Sequence, residues 1–318
     1  MTTPEKFTQM FVALGLFIVV FGGILFVASR FAGRRGERVQ AVSFVGPALL
    51  FLAVGLLYPA ILTIIASFQN SAGTESVGLR NYLDIFTKPE LLIVLRNTAV
   101  WVVLVPFLAT AIGLAYAILI DRARVEAFAK ALIFLPMAIS MVAASIIWKF
   151  MYEYRPTPRP QIGVFNAILK ELGLDTYQFL LGDPWNTLFL IAIMVWIQAG
   201  FAMTVLSAAI KSIPDDIIEA AKLDGVEGFK MFRWVTLPSI RPAVIVVLTT
   251  IGIGTLKVFD IVRTMTGGQF NTSVIANEFY NQSFRYDQSG LGAAFAVILF
   301  VLVIPIVAYN VVQLRKDM

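Results

Sequence analysis

Apolar residues in this chain gather in long unbroken runs, not at every second position or in the narrow stripe of a half-buried helix. A helix crossing a bilayer needs about 20 mostly apolar residues. Seven stretches meet that length: 8–29, 42–66, 97–120, 128–151, 187–210, 242–263 and 290–313. They predict an all-α polytopic membrane protein of about seven transmembrane helices. The first run has little positive charge before it, and basic residues follow it, the reverse of a secretory signal. It reads as a retained helix.

The polar segments between the runs set the expected orientation. Arg30, Arg34, Arg35 and Arg38 follow the first run, and "DRARVEAFAK" follows the third. A long charged loop follows the fifth, and "LRKDM" ends the chain. By alternation these four segments share one side, and they hold 14 of the 25 Lys and Arg. The positive-inside rule makes that side cytoplasmic, with the N-terminus outside and the C-terminus inside. In the expected outer segment 155–185, Val164, Phe165, Ile168, Leu169 and Leu172 fall on one helical face. Two readings fit it, a short helix lying on the outer surface or a docking surface for an extracytoplasmic partner.

The loop 211–242 is amphipathic and too polar to span. Ser212 to Asp215 matches a capping-box start, with Pro214 in the first turn. A helix follows through "DDIIEAAKL" and stops at Asp224-Gly225, where glycine accepts a left-handed backbone. A second helix, "VEGFKMFRWV", is expected to end at Pro238, with Phe229, Phe232 and Thr236 on one face and Lys230 and Arg233 on the other. One reading is a helix resting on headgroups. Ala220 and Ala221 favour the other, a bracket held by a protein, because small residues let a second backbone come close.

Composition narrows the chemistry. The chain is 14% charged, where a soluble domain carries roughly a quarter, and its mean hydropathy is +0.82. It has no His and no Cys. That removes disulfides and Ser-His-Asp catalysis, and leaves no imidazole or thiolate for zinc or haem. No metal or cofactor is expected on this chain. The net charge of +5 is spread between apolar runs, a pattern of membrane orientation and not of nucleic-acid binding.

The stretch "EAAKLDGVEGFKMFRWVTLPSIRP" resembles the EAA loop of binding-protein-dependent ABC importer permeases. That pattern is E-A-A, three residues, G, and a distant L-P, met by Glu219, Ala220, Ala221, Asp224, Gly225, Leu237 and Pro238. The resemblance extends to "RNTAVWVVLVPFLATAIGLAYAIL", "KSIPDD" and "FDIVRTMTGGQFNTS", and is to the sugar-importer branch. It implies a six-helix type I core over 42–318, with residues 1–41 as an added N-terminal helix and basic loop. The loop 211–242 would couple to a cytoplasmic ATPase subunit, Glu219 facing a basic residue there. Implied partners are a second homologous permease, two ATPase copies using ATP and Mg, and an extracytoplasmic solute-binding protein, in a bacterial cytoplasmic (inner or plasma) membrane. The chain has no Walker A pattern, so ATP hydrolysis is expected on the partner.

Polar and aromatic residues inside runs are candidates for the path of the cargo. The fifth run offers Trp196, Gln198 and Phe201, and the sixth Thr255, Lys257 and Asp260. The resemblance adds Met194, Ile197, Ile251, Gly254 and Val258 as substrate-contact positions. Each has a plainer reading. Gln198 bonds a neighbouring helix, and Thr255 the carbonyl one turn back. Lys257 and Asp260 pair on one helical face, and Gly252 and Gly254 allow close helix packing. The resemblance implies a permease subunit of an ATP-driven importer for a sugar, an oligosaccharide such as an α-glucoside. The competing reading is an ion-coupled carrier, for which Asp260 is the sole acid well inside a run; an intramembrane enzyme lacks paired carboxylates.

Overall fold

The computed structural model describes residues 3–30, 33–121, 124–156 and 158–316, and the regular structure among them is helical. Phe31, Ala32, Arg122, Ala123, Asp317 and Met318, parts of three predicted basic segments, lie outside the described residues. Two compact units form, Met1–Ile65 and Ala66–Met318.

In the first unit, α1 (Thr3–Arg30) is followed by α2 (Gly33–Leu52), a π turn (Ala53–Leu57) and α3 (Tyr58–Ala66). The π turn has a local cause in Pro59. Proline lacks an N–H, and its ring crowds the carbonyl four residues back. One added residue in the turn relieves that clash, and the Tyr58 N–H reaches the Ala53 carbonyl instead. Residues Ala41–Ala66 are long and apolar enough to cross a membrane, and none of their side chains is buried. The apolar part of α1, Met10–Gly23, is shorter than a span.

The second unit is built on α5 (Pro89–Ile120) and α9 (Trp185–Lys211). They cross at small residues. A Cβ on Gly113 would lie 2.5 Å from that of Ala202 and 2.7 Å from the Met203 nitrogen, so only glycine fits there. Gly200 likewise meets the Ile133 carbonyl at 2.6 Å. Around this crossing Trp101, Val105, Met194, Met203, Leu206 and Val247 form one buried core.

Helix directions follow from contacts at the two ends. Asn97, near the start of α5, and Asn186, near the start of α9, both bond the 270–273 turn. Asp121, just past α5, meets Lys211 at the end of α9. The two helices therefore run parallel. Ser289, opening α16 (Ser289–Lys316), bonds Ser71, ahead of α4 (Arg80–Thr87), so α16 begins at the same end as α5. The loops after α5 and α9 and the end of α16 thus share one side, as alternation predicts.

Among the described residues, four helices are long and apolar enough to span, or up to six if two bent pairs each count once. The predicted run 128–151 is one of those pairs. α6 (Glu126–Phe134) ends in a 3₁₀ turn begun by Leu135-Pro136, and α7 (Met141–Met151) leaves it at 101°. Ser140 caps α7, accepting from Ala143 N at 3.2 Å. The predicted run 242–263 is not continuous. α13 (Arg241–Leu256) stops short, and α14 (Asp260–Met265) begins after the non-helical residues Val258 and Phe259. Lys257 caps one helix and Asp260 opens the next, so they share no helical face, and no ion pair joins them among the described residues.

At the end opposite the 211–242 loop, α8 (Val164–Glu171) is clamped by the buried Asn166. Its amide nitrogen donates to the Glu153 and Tyr177 carbonyls, and its oxygen accepts from Tyr177 N at 2.7 Å. The predicted apolar face divides. Phe165 and Leu169 pack inward on Trp148, Tyr152 and Phe179, while Val164, Ile168 and Leu172 are exposed.

Candidate functional site

The loop 211–242 is a two-helix bracket. α10 (Asp215–Leu223) opens without the expected capping box: the Ser212 hydroxyl donates to the Ala209 carbonyl and so closes α9. Asp215 and Asp216 face the positive end of the α10 dipole instead. The far end matches expectation. Gly225 has φ +76°, its N–H bonds Lys222 O at 2.9 Å, and Val226 N–H bonds Ala221 O at 2.9 Å. These are the two bonds of a Schellman turn.

The return limb is α11 (Gly228–Met231), a π turn (Phe232–Thr236) and α12 (Leu237–Ser239). Pro238 does not end the helix. As at Pro59, a π turn before it absorbs the missing donor, with Leu237 N–H bonding Phe232 O, and the run bends by 69° at Ile240 into α13. Phe229 and Phe232 share a face, ring centroids 6.0 Å apart.

The bracket has little cover of its own. No residue of α10, α11 or the π turn is buried. Phe229 is 77% exposed, Trp234 72% and Leu223 90%. Glu219, Ala220, Asp224, Gly225 and Pro238 are exposed, and Ala221 and Leu237 half-buried. Phe229, Trp234 and Leu223 are an apolar load that water alone does not accommodate cheaply.

The span candidates divide between faces of α9. Met194, Gln198 and Phe201 lie on one side, with Met194 buried and Gln198 and Phe201 half-buried. The Gln198 amide has no hydrogen-bond partner among the described residues, contrary to the helix-bonding reading. Trp196 is two residues from Gln198, about 200° around the helix. It meets Trp148 at 5.7 Å and lines a separate apolar groove of about 670 Å³ with Ala192, Val195 and Ala199. On α13, Thr255 is buried and donates to the Ile251 carbonyl at 2.7 Å, the plain reading. Ile197, Ile251 and Val258 are core residues. Gly254 is half-buried, with open space where a Cβ would stand, so it marks no close helix crossing; Gly252 meets only Pro106, at 3.8 Å. Close crossings fall at Gly113 and Gly200, which sequence reading did not single out.

Two polar constellations also escaped the sequence. At the α5 start, Asn97 donates to the Asn271 carbonyl (2.6 Å) and the Ser273 carbonyl (3.0 Å), and Thr98 accepts from Ile275 N at 3.0 Å. Asn186 bonds the Phe270 carbonyl at 2.7 Å, and Asp183 accepts from Asn271 and Arg96. This brace joins "RNT" to "FNTS", segments over 170 residues apart. At the other end, Lys130 bonds Glu126 (2.6 Å) and Ser207 (2.5 Å), and Lys211 bonds Glu126 and lies 3.5 Å from Asp121. The only available signal was charge at the ends of apolar runs.

Residues 109–316 match the family described as "Binding-protein-dependent transport system inner membrane component". The chain is 46% identical to the osmoprotective compounds uptake permease protein GgtC of Synechocystis sp., over 86% of this chain and 98% of that protein. It is 44% identical to the alpha-glucoside transport system permease protein AglF of Rhizobium meliloti, over 89% and 85%. Its fold matches a chain of a bacterial alginate ABC transporter solved with an alginate pentasaccharide-bound periplasmic protein. The TM-score is 0.75 at 22% identity, over 90% of this chain and 98% of that one.

Proposed function

Because the chain belongs to the binding-protein-dependent transport system inner membrane component family, we propose that it is the permease of an ABC importer that carries a sugar, of the α-glucoside class. The exposed bracket at 211–242 carries the reading: it displays Leu223, Phe229 and Trp234 with no cover of its own. A cytoplasmic ATPase subunit supplies that cover, and the Glu219 carboxylate adds a charge-assisted contact. Gly225 sets the angle of α10, and Ala220 and Ala221 admit a second backbone. Family membership leaves the ion-coupled carrier without support.

The chain does no chemistry itself; ATP and Mg act on the ATPase pair. Residues 42–318 form the six-helix core, and 1–41 add a seventh span with its basic loop. The 211–242 side faces the cytoplasm, the N-terminus lies outside, and a second homologous permease completes the pathway. An extracytoplasmic binding protein delivers the sugar. The unpartnered Gln198 amide, with Phe201, faces that pathway, and Gly254 leaves it open; an amide and a ring suit the hydroxyls and the apolar face of a sugar. Purifying the complex from a bacterial membrane and identifying its chains tests the reading. An ATPase and a second permease are expected, and their absence from an active complex would overturn it.

A further inference from the structure

The four charged groups where α5, α6 and α9 end have no part in the coupling reading above. We propose, resting on that reading, that Glu126 and Lys211 are positioning residues for energy coupling. They tie the end of α9, from which α10 hangs, to the corner between α5 and α6, so that displacement of α10 moves all three helix ends together.

Only Ser212, Ile213 and Pro214 separate Lys211 from α10. No residue of α10 is fully buried, and a cavity of about 490 Å³ lies beside it, lined by Asp121, Ile210, Lys211, Asp215, Ile218 and Thr236. Among the described residues, that cavity separates α10 from the end of α5, and the polar contacts that lead from α10 to α5 and α6 run through the end of α9. There the contacts are polar. Lys211 bonds Glu126 and approaches Asp121, while Lys130, one turn along α6, bonds both Glu126 and Ser207 on α9. Isolated surface pairs contribute little, but this is a shared cluster. The side chains of Asp121, Glu126 and Lys130 are 17%, 22% and 25% exposed, and that of Lys211 is 49% exposed. An interlocked cluster with shared partners resists being pulled apart in a way that one flexible pair does not.

The test uses the whole complex in liposomes and reads sugar moved per ATP hydrolysed. Lys211→Glu places a carboxylate beside Glu126 and Asp121, whereas Lys211→Arg keeps a cation there. The glutamate variant should lower the ratio roughly threefold to tenfold while ATP hydrolysis continues, as expected for coupled neighbours, and the arginine variant should keep most of it. A second pair, Glu126→Cys with Lys211→Cys in this cysteine-free chain, should be poorly coupled when open and recover when joined by a short thiol-specific bridge. A purely structural role would not make the ratio follow the bridge. An unchanged ratio in Lys211→Glu, an arginine variant no better than the glutamate one, or a bridge that stops uptake overturns the proposal. If Lys211→Glu does not assemble, the bridged pair decides. ATP-driven uptake by the unsubstituted complex is read first: its absence overturns the importer reading itself, whereas normal uptake with an unaffected ratio overturns only the positioning role.

Discussion

Gly225 offers a perturbation whose size follows from one angle. Its φ of +76° lies in the left-handed region, and a Cβ there would have no heavy atom within 4 Å. A substitution therefore meets no steric obstacle from neighbouring elements, and its cost is that of the backbone conformation alone. For an ordinary L residue that is about 1–2 kcal/mol; a β-branched side chain pays most, and Asn, which visits this region readily, least. An energy of that size lowers the population of the Schellman turn about fivefold to thirtyfold. The turn sets the angle of α10, through the bonds of Gly225 N–H to Lys222 and Val226 N–H to Ala221. Initial uptake rate per inserted permease should then fall in the order Gly225→Asn, Gly225→Ala, Gly225→Val, with Asn close to the unsubstituted protein. Because the site is exposed, insertion and yield should stay constant across the series. Equal uptake in the Val and Asn variants would refute the reasoning, since the two differ chiefly in tolerance of this backbone angle.

Gln198→Leu should weaken uptake by up to about tenfold, the scale of one hydrogen bond to a neutral ligand, with assembly and basal ATP hydrolysis intact; unchanged transport of several α-glucosides would separate Gln198 from the sugar. Asn97→Ala removes both donors that hold the Asn271 and Ser273 carbonyls, and should cost about 1–3 kcal/mol of stability, read as an earlier thermal aggregation of the detergent-solubilised complex. Cysteines introduced at Arg34 and Lys170 should differ in labelling by an impermeant thiol reagent on intact cells: only position 170 should react, and the reverse pattern would invert the topology.

Much of the scaffold was legible because lipid imposes a length on apolar runs, and charge between the runs marks alternate sides. The Gly225 turn was legible because a left-handed residue admits few side chains. What stayed hidden was tertiary. The π turns before Pro59 and Pro238 repair a local clash by adding a residue, so proline bends or interrupts the ladder where sequence rules end the helix. The break between Leu256 and Asp260 falls at Lys257, Val258 and Phe259, with no proline or glycine to mark it. Ser212 reads as a cap for α10, but the N-cap position falls two residues later, at Pro214, which leaves Ser212 in the last turn of α9, where its hydroxyl donates to the Ala209 carbonyl. The Asn97 brace and the Glu126–Lys211 cluster join segments far apart in the chain, and single-sequence periodicity carries no information about such pairs. Trp196 and Gln198 were read together because they are close in sequence, whereas two residues on a helix point to different sides.

The central claim is that the exposed bracket couples this chain to an ATPase, and Glu219 tests it most directly. Glu219 is exposed on α10, where no element of its own chain buries it. Glu219→Lys should therefore leave the fold and membrane insertion unchanged. At a protein interface, like charges brought face to face cost several kcal/mol. The account predicts that ATP-driven uptake is lost and that the ATPase dissociates during purification, with partial recovery when the facing basic residue of the ATPase is changed to Glu. A helix merely resting on headgroups would gain from the added positive charge. Full uptake with normal ATPase retention in Glu219→Lys would contradict the account.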